Sequence, residues 1–426
     1  MNDINSNIPG FYKLSIDERQ QVITKLVNLN TEDIKLLKNY GYISPSQLDT
    51  LIENVIGSFH LPLGIACNFK INNKDYIIPM VIEEPSVVAA ASNAAKIARK
   101  LGGFYSEKVK SIMFSQIQIT NIKDIKTAKD NIQKNKETIL KIANEQDPLL
   151  VSLNGGAIDL EIREISTRKG PMLIIHLLVN VLDAMGANVV NTMAEAVAPY
   201  LEDICNGHIY LRILSNLAIH RLARCRAVFD KELLGGDKVV EGIINAYEFA
   251  LADPFRATTH NKGIMNGIIA LTMATGNDTR AIEAGAHAFA ALSGNYSPLT
   301  KFQVDSDGNL VGEIELPLAL GIIGGMTKIH PMARLALKIL DIKSANELSQ
   351  VAAALGLAQN VAALRALASE GIQKGHMSLH SRNIAKLAGV PEELIEKVAQ
   401  KLVEDKKIRV DYAKEILQKI IDGENL

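Results

Sequence analysis

MLIIHLLVNVL, residues 172–182, is a long and nearly unbroken apolar run that predicts a buried β-strand. Residues 116–119 (QIQI) and 158–162 (IDLEI) alternate between polar and apolar side chains, as half-buried strands do. Residues 127–144 lie between these two segments, carry many charges and predict a helix. The order strand, helix, strand, strand predicts a small α+β domain.

Helical patterns flank this domain on both sides, so the chain is predicted to be an α+β multidomain protein. The first hundred residues are expected to be helical, with helix starts at Ser15 and Thr31 and with Pro85 at the first position of a third helix. The other predicted elements are helices at 86–100, 187–200 and 391–422, helices with many alanines and glycines up to residue 371, and one strand at 310–316.

The composition excludes several classes of function. The chain has 426 residues, which predicts two or three domains, and its net charge of -1 gives no electrostatic case for binding nucleic acid or an anionic membrane. The three cysteines are far apart, so neither a zinc site nor a disulfide framework is predicted, and a reducing cytoplasm is expected. Residues 173–182 and 316–326 are the most apolar runs, and both are shorter than the ~20 residues of a membrane helix.

Lys262 is the only charged residue between positions 257 and 277. Because its surroundings are apolar, it is predicted to be substantially buried, and burying an ammonium group costs free energy unless the group is paired. Two interpretations are about equally supported: a functional lysine, or one that extends from a helix to a surface carboxylate. Small polar neighbours favour a site; they are Thr259, His260, Asn261, Gly263 and Asn266.

Other isolated polar residues have simpler explanations. Glu84 directly precedes Pro85, so capping of the next helix is the favoured interpretation, and Asp278 is also favoured as a cap or turn residue. Residues 183–188 (DAMGAN) join the long strand to a helix through a glycine-bearing turn, which can bind an anion, although a plain tight turn is slightly favoured. GxGxxG is absent, so a standard Rossmann domain is not predicted.

His376 and His380 are four residues apart and would share one face of a helix. A metal pair is the minority interpretation, because no HExxH pattern and no intervening acid accompanies them. Solvated or core histidines, or a single catalytic acid–base histidine, remain open.

At these residues the sequence resembles hydroxymethylglutaryl-coenzyme A reductase, in particular its soluble bacterial class II form. The resemblance covers nearly the whole chain, and its motifs in this order are highly specific. They are ENVIG (53–57), EEPSVVAAAS (83–92), DAMGAN (183–188), NTMAE (191–195), THNKGIMNG (259–267), TGND (275–278) and GHM (375–377).

The resemblance implies a two-step reduction of a thioester. (S)-3-hydroxy-3-methylglutaryl-coenzyme A and mevalonate plus coenzyme A would be interconverted through a hemithioacetal and mevaldehyde, with two hydride transfers. Lys262 would be the cation that stabilises the alkoxide, and Glu84 would donate a proton to the aldehyde oxygen. Asp278 would lie close to both and adjust their protonation, and His376 would protonate the departing thiolate.

The resemblance also implies binding residues and no metal. Arg256 suits the substrate carboxylate because a guanidinium binds it with two hydrogen bonds. Asp147 falls where NAD-preferring relatives carry an aspartate near the adenosine ribose, so NAD(H) is favoured over NADP(H). The family's N-terminal arginine for coenzyme A is matched here by Tyr12, beside Lys13. The full implied sets are Ser86, Asn216, Arg256, Thr259 and Asn266 for substrate, and Asp147, Asp183, Met185, Gly186 and Asn188 for the dinucleotide.

The implied architecture has three parts. Residues 1–109 and 216–372 would form a large, mainly helical coenzyme A-binding domain. Residues 110–215 would form an inserted ferredoxin-like dinucleotide-binding domain, and residues 373–426 a helical flap that carries His376 and excludes water. Family members are homodimers or larger assemblies with active sites at the subunit interface.

Two competing hypotheses stay open at this point. One is a different coenzyme A-dependent dehydrogenase or an acyl-transfer enzyme that uses Lys262 and His376. The other is a helical scaffold protein in which Lys262 forms a structural ion pair.

Overall fold

The N-terminal part of the chain is a small helical cluster. The computed structural model describes residues 13–27, 29–41, 43–369 and 372–422, and the side chains within them except those of residues 26, 27, 36 and 372–379. The helix start predicted at Ser15 is confirmed, with a capping box: the Ser15 N–H donates to Glu18 Oε2 at 2.7 Å, and the Glu18 N–H donates to Ser15 Oγ at 3.3 Å. The three helices are α1 (Ile16–Val27), α2 (Thr31–Leu37) and α3 (Pro45–Asp49).

A six-stranded sheet forms the centre of the larger part of the molecule. Its strands are β1 (Leu63–Ile71), β2 (Lys74–Val81), β3 (Phe104–Ser106), β8 (Leu222–Phe229), β9 (Thr300–Val304) and β10 (Leu310–Pro317), in the order β2-β1-β3-β8-β10-β9. The strand predicted at 310–316 is confirmed. The prediction that the first hundred residues are helical is wrong, because β1 and β2 form a hairpin. Asn72 and Asn73 make its turn with φ of 48° and 66°, the left-handed conformation that a two-residue hairpin turn needs.

Helices cover this sheet, and α15 is the most deeply buried of them. They are α4 (Val87–Lys100), α9 (Lys231–Leu234), α10 (Asp237–Ala252), α11 (Pro254–Ala274), α12 (Thr279–Ala290), α13 (Gly325–Ile329), α14 (Pro331–Leu340) and α15 (Ala345–Ala368). By length and composition alone, α15 could cross a membrane, which the sequence analysis overlooked. However, 67% of its most apolar window is buried inside the protein, as in the core helix of a globular domain.

The inserted domain has the predicted ferredoxin-like topology. Its elements are β4 (Ile112–Thr120), α5 (Ile125–Lys134), α6 (Lys136–Asn144), α7 (Pro148–Ser152), β5 (Gly156–Thr167), β6 (Gly170–Asn180), α8 (Ala187–Cys205) and β7 (His208–Leu214). The sheet is antiparallel throughout, in the order β7-β4-β6-β5, which is the βαββαβ arrangement. The prediction of a single helix at 127–144 is wrong, because the helix is interrupted at Asn135, between α5 and α6. The Asn135 side chain accepts a hydrogen bond from the Tyr200 hydroxyl.

The C-terminal part is helical, as predicted, and has a small apolar core of its own. It contains α16 (Ile372–Leu387), a 3-10 turn (Glu392–Leu394), α17 (Ile395–Glu404) and α18 (Val410–Ile421). Ala385, Val398, Leu402 and Ile416 belong to that core. His376 is in α16, but its side chain lies outside the described residues, and His380 is exposed.

Candidate functional site

Lys262 and Glu84 form an ion pair between α11 and the segment that follows β2. The Lys262 Nζ lies 3.0 Å from Glu84 Oε2, and the two side chains are 60% and 33% exposed. The predicted burial of Lys262 is therefore wrong for a single chain. Its neighbours His260 and Asn261 turn into the core, so the lysine falls on the opposite face of the helix.

Four of the predicted site residues share that outer face of α11. At about 100° per residue, Arg256, Thr259, Lys262 and Asn266 fall within an arc of about 120°. Arg256 is half-buried, burial lowers its pKa, and no carboxylate in the described part of the chain pairs with it. On this face Lys262 is therefore already paired with a carboxylate, whereas Arg256 is available to bind the carboxylate of a ligand.

Ser86 precedes α4 in a strained turn. The predictions that Glu84 caps this helix and that Pro85 is its first residue are wrong, because α4 begins at Val87 and Ser86 is its N-cap. Ser86 has φ 75° and ψ -20°, close to the third residue of a type II turn, a left-handed conformation that is uncommon for serine. Its buried Oγ has no hydrogen-bond partner in the described structure. Backbone strain and an unpartnered hydroxyl thus occur two residues from Glu84.

A buried polar network fixes α11 directly behind Lys262. The Thr300 hydroxyl donates to Asn360 Oδ1 at 2.9 Å, so the His260 Nε2–H is the donor in its 2.7 Å bond to Thr300 Oγ1. The Asn360 Nδ2 donates back to the His260 carbonyl at 3.4 Å. Burial lowers the pKa of His260 to about 3, and the nearby Arg256 cation acts in the same direction. The imidazole is therefore neutral and anchors the helix.

A cavity of about 610 Å³ lies at the other end of α11, between the inserted domain and the larger part of the protein. As predicted, residues 183–188 connect a strand to a helix there. Gly186 is the N-cap of α8 with φ 104°, and no side chain caps the helix, so the first N–H groups of α8 can donate hydrogen bonds to an anion. The predicted residues on the cavity wall are Asp147, Met185, Gly186, Asn188 and Asp278.

Two aspartates that the sequence grouped together have different positions. The Asp147 carboxylate accepts from the Leu150 N–H at 2.9 Å, caps α7 and lines the cavity. Asp183 does not line it; one of its carboxylate oxygens accepts from the Ala345 N–H, at the start of α15, at 2.8 Å. Asp183 therefore lies behind the cavity wall.

Asp278 also lines the cavity and caps α12, as the sequence favoured. Burial raises its pKa, but the Ala281 N–H and the Arg280 side chain outweigh burial and hold that pKa below its usual value. Lys262 lies about 18 Å along the helix axis from Ala274, before the turn that leads to Asp278. The expectation that Asp278 sits beside Lys262 and Glu84 is therefore wrong within one chain.

The remaining predicted residues lie apart from both groups. Asn216 is exposed, and its carbonyl lies against Gly285 of α12, where an added Cβ would come within 2.5 Å of it. Tyr12 lies outside the described residues, and Lys13 is the first residue inside them. Across the part of the chain that is described, no group of three or more His, Cys, Asp or Glu side chains could hold a metal ion.

Two features at the cavity were not predicted from the sequence. One is the wall formed by Gly321 and residues 323–327, for which the Gly324–Gly325 pair was an available signal. The other is Arg221, a fully buried cation behind the wall. The sequence did not indicate that Arg221 is buried, because Arg224 and Arg226 follow it closely and nothing in the pattern distinguishes the three arginines.

The C-terminal helices approach Pro85. A second cavity, of about 410 Å³, has Pro85 on one side and residues of α16, the 3-10 turn and α17 on the other. The segment that carries Glu84 is therefore next to the C-terminal unit.

Comparisons with known proteins agree with one another. The family model "Hydroxymethylglutaryl-coenzyme A reductase" matches residues 15–381. A 3-hydroxy-3-methylglutaryl-coenzyme A reductase from Archaeoglobus fulgidus is 58% identical over 98% of this chain and 95% of its own length. A probable reductase of the same name from Borreliella burgdorferi is 38% identical over 98% and 96%. The solved class II reductase from Streptococcus pneumoniae bound to NADPH superimposes with a TM-score of 0.76 at 39% identity, covering 96% of this chain and 100% of that one.

The buried histidine predicts a pH-dependent loss of stability. An unfolded histidine takes up a proton below about pH 6.5, whereas His260 resists protonation down to about 3. The contribution of His260 to the free energy of unfolding is complete above the pKa of an unfolded histidine, about 6.5. It decreases as the pH falls from there towards the pKa of folded His260, and about 2 kcal/mol is lost at pH 5.

Urea unfolding of wild type and His260→Gln at about pH 7.5 and about pH 5 tests this expectation. Glutamine keeps a donor near the Nε2 position but does not titrate, so the variant should lose about 2 kcal/mol less than wild type between the two pH values. His380→Gln, at an exposed position, should lose as much as wild type. Equal losses in wild type and His260→Gln would contradict the assignment.

Proposed function

The chain belongs to the hydroxymethylglutaryl-coenzyme A reductase family, and we propose that the Glu84–Lys262 pair is the centre at which it interconverts (S)-3-hydroxy-3-methylglutaryl-coenzyme A and mevalonate. Membership establishes the reaction class. The roles of individual residues, the preferred nicotinamide and the assembly are proposals, supported by the geometry described above.

Lys262 stabilises the oxygen of the reacting carbonyl. As the substrate carbon accepts hydride, negative charge develops on this oxygen, and a fixed ammonium beside it lowers the barrier by about 3 kcal/mol. Glu84, 3.0 Å from the ammonium, is placed to act on the aldehyde oxygen in the second reduction. It would first take up a proton, which a second carboxylate beside it would favour, and would then deliver that proton to the oxygen. The ion pair is the single observation that carries this proposal.

The outer face of α11 binds the rest of the acyl group. Arg256 has no carboxylate partner in the described chain and can grip the substrate carboxylate with two hydrogen bonds. Thr259 and Asn266 on the same face supply further polar contacts. The buried Ser86 hydroxyl has an unused hydrogen-bonding capacity that a substrate oxygen would satisfy. Asn216 has no support from this chain alone.

The 610 Å³ cavity is the nicotinamide site. The uncapped start of α8 suits a pyrophosphate, and Met185, Gly186 and Asn188 line the wall beside it. Asp147 lines the wall with its carboxylate, which suits a ribose 2′-hydroxyl and repels a 2′-phosphate, so NAD(H) is proposed as the preferred coenzyme. Two coenzyme molecules, bound one after the other, would each supply or accept one hydride. The streptococcal relative was solved with NADPH, so both coenzymes are compared below.

Two chains complete one active site. Glu84 and Lys262 lie about 18 Å along α11 from the helix end that leads to Asp278 and the cavity, a distance too long for hydride transfer within one chain. A homodimer that places the cavity of one subunit against the outer face of α11 in the other would unite them. Asp278 of the second subunit then joins Lys262 and Glu84, and the exposure of Lys262 disappears.

The C-terminal unit closes the site. Its helices line a cavity together with Pro85, the residue after Glu84, so a movement of this unit would bring α16 towards the site. His376, whose side chain lies outside the described residues, is proposed as the acid that protonates the coenzyme A thiolate. Closure also excludes water, which strengthens the effect of the Lys262 charge.

Lys262→Ala should abolish turnover while leaving binding of coenzyme A nearly intact. We expect kcat to fall by about 10²-fold or more and the Kd for coenzyme A to change less than about twofold. Turnover is followed from mevalonate, coenzyme A and NAD by the appearance of reduced nicotinamide. Lys129→Ala, which removes an ion-paired lysine of the inserted domain, is the matched control. Parallel losses of turnover and binding in Lys262→Ala would indicate a structural lysine.

Asp147→Asn should relax discrimination against the 2′-phosphate. Asparagine still caps α7, so the change removes charge with little effect on the fold. We expect the ratio of kcat/KM for NADH over NADPH to fall by about tenfold or more, because a like-charge repulsion is removed. Glu145→Gln removes a neighbouring exposed charge and should leave the ratio unchanged. An unaltered ratio in Asp147→Asn would reject this role.

Subunit mixing tests the shared site. Lys262→Ala and Asp278→Ala should each be inactive alone. When the two are unfolded together and refolded as a mixture, about half the dimers contain one chain of each kind, and one of their two sites has both groups intact. We expect about a quarter of wild-type activity from the mixture. No recovery, with mixed dimers verified by two affinity tags, would place both residues in the same chain's site.

A further inference from the structure

We propose that Arg221 is a positioning residue that sets the shape of the nicotinamide cavity without touching the coenzyme. This inference rests on the proposed function, because it assigns the 610 Å³ cavity to the dinucleotide. Arg221 lies in the loop before β8 and is not part of the cavity wall.

The Arg221 guanidinium joins two walls of the cavity. Its Nη1 donates to the carbonyls of Ala184 and Met185 at 3.1 and 3.2 Å, and its Nη2 donates to the carbonyl of Leu320. The first two residues belong to the loop that leads into α8, and the third directly precedes the glycine-rich wall that begins at Gly321. The Arg221 carbonyl also accepts from the Leu318 N–H at 3.1 Å. This second contact joins Arg221 to the segment that follows β10 and leads to Leu320.

This side chain is a charge held in the interior. Arg221 is 1% exposed, and burial lowers its pKa to about 10, although Asp183 nearby acts in the opposite direction. It therefore stays cationic near neutral pH. A buried cation contributes less to stability than a well-packed apolar side chain often does, so its three directed hydrogen bonds to the cavity walls are the feature that needs explaining.

The contacts around Arg221 leave little room for the walls to move separately. The Asp183 carbonyl accepts from the Ile322 N–H at 2.9 Å, and Asn277 Oδ1 accepts from the Gly321 N–H at 2.8 Å. A Cβ on Gly321 would lie 2.5 Å from the Met185 nitrogen, so the two walls touch through backbone atoms. A shift of the 184–185 loop would therefore move the glycine-rich wall and the Asn277 turn with it.

The orientation of one peptide links Arg221 to coenzyme binding. A planar trans peptide directs its carbonyl oxygen and its N–H to opposite sides. Because Arg221 holds the Met185 carbonyl, the N–H of Gly186 in the same peptide points away from the guanidinium. Gly186 lines the cavity and directly precedes α8. Without the guanidinium this peptide loses the hydrogen bond that fixes its carbonyl, and the geometry at the start of α8 is less constrained.

The test separates coenzyme binding from substrate binding in the full-length enzyme. Arg221→Met keeps the apolar stem and removes all three donors, whereas Arg221→Lys keeps the charge but cannot span three carbonyls. We expect the KM for NADH to rise about tenfold or more in Arg221→Met and about threefold or more in Arg221→Lys, with the KM for the acyl-coenzyme A substrate within about twofold of wild type. Titration of NADH fluorescence measures the Kd without turnover and should show the same increases.

Arg224→Lys is the matched control, because Arg224 is half-exposed and pairs with Glu315 on the outer face of the sheet. It should keep both KM values. Unchanged NADH affinity in both Arg221 variants, or an equal rise in both KM values, would overturn the proposal. If Arg221→Met does not fold, Arg221→Lys alone decides by the same criteria. A wild-type protein that turns over the substrate with neither NADH nor NADPH would instead reject the proposed function.

Discussion

The burial of one face of α11 against the core is the constraint on which the site depends. His260, Thr300 and Asn360 form a closed hydrogen-bond network on that face, so the rotation of the helix about its axis is fixed. Arg256 and Lys262 consequently face outward at defined angles, and their charges stay near the surface. Preorganisation of the cation proposed for catalysis is thus a product of neutral polar groups in the core, which avoid the cost of burying a charge there.

The same helix separates the two halves of the chemistry. One end carries the groups that suit an acyl substrate, and the segment after the other end borders the cavity that suits a dinucleotide. An α-helix is rigid over this length, so no local rearrangement joins the halves within a chain. The proposed active site between two subunits therefore has a geometric basis here, and the inserted ferredoxin-like domain would carry one half of it to the second subunit.

Local patterns predicted the strand order of the inserted domain, because the alternation of a strand and the charges of a surface helix are visible within a few consecutive residues. The β1–β2 hairpin was missed because a bulge between Ala66 and Phe69 interrupts its alternation. The burial of Lys262 was predicted wrongly because apolar neighbours show that a helix is buried but not which face is. The resemblance implied that Glu84 and Asp278 belong to one site, but no motif shows that a single chain holds the two residues apart. Arg221 was not predicted because its role depends on three carbonyls from two segments that are distant in sequence.

The separation along α11 has a consequence for how such an enzyme is handled. If a complete site exists only where two chains meet, the monomer is a folded protein without catalysis, and specific activity depends on total enzyme concentration. Dilution below the dimer dissociation constant then resembles inhibition, with a lag on reconcentration set by the rate of association. A ligand that bridges the two halves would act as an assembly factor as well as a substrate, since it binds only the associated form.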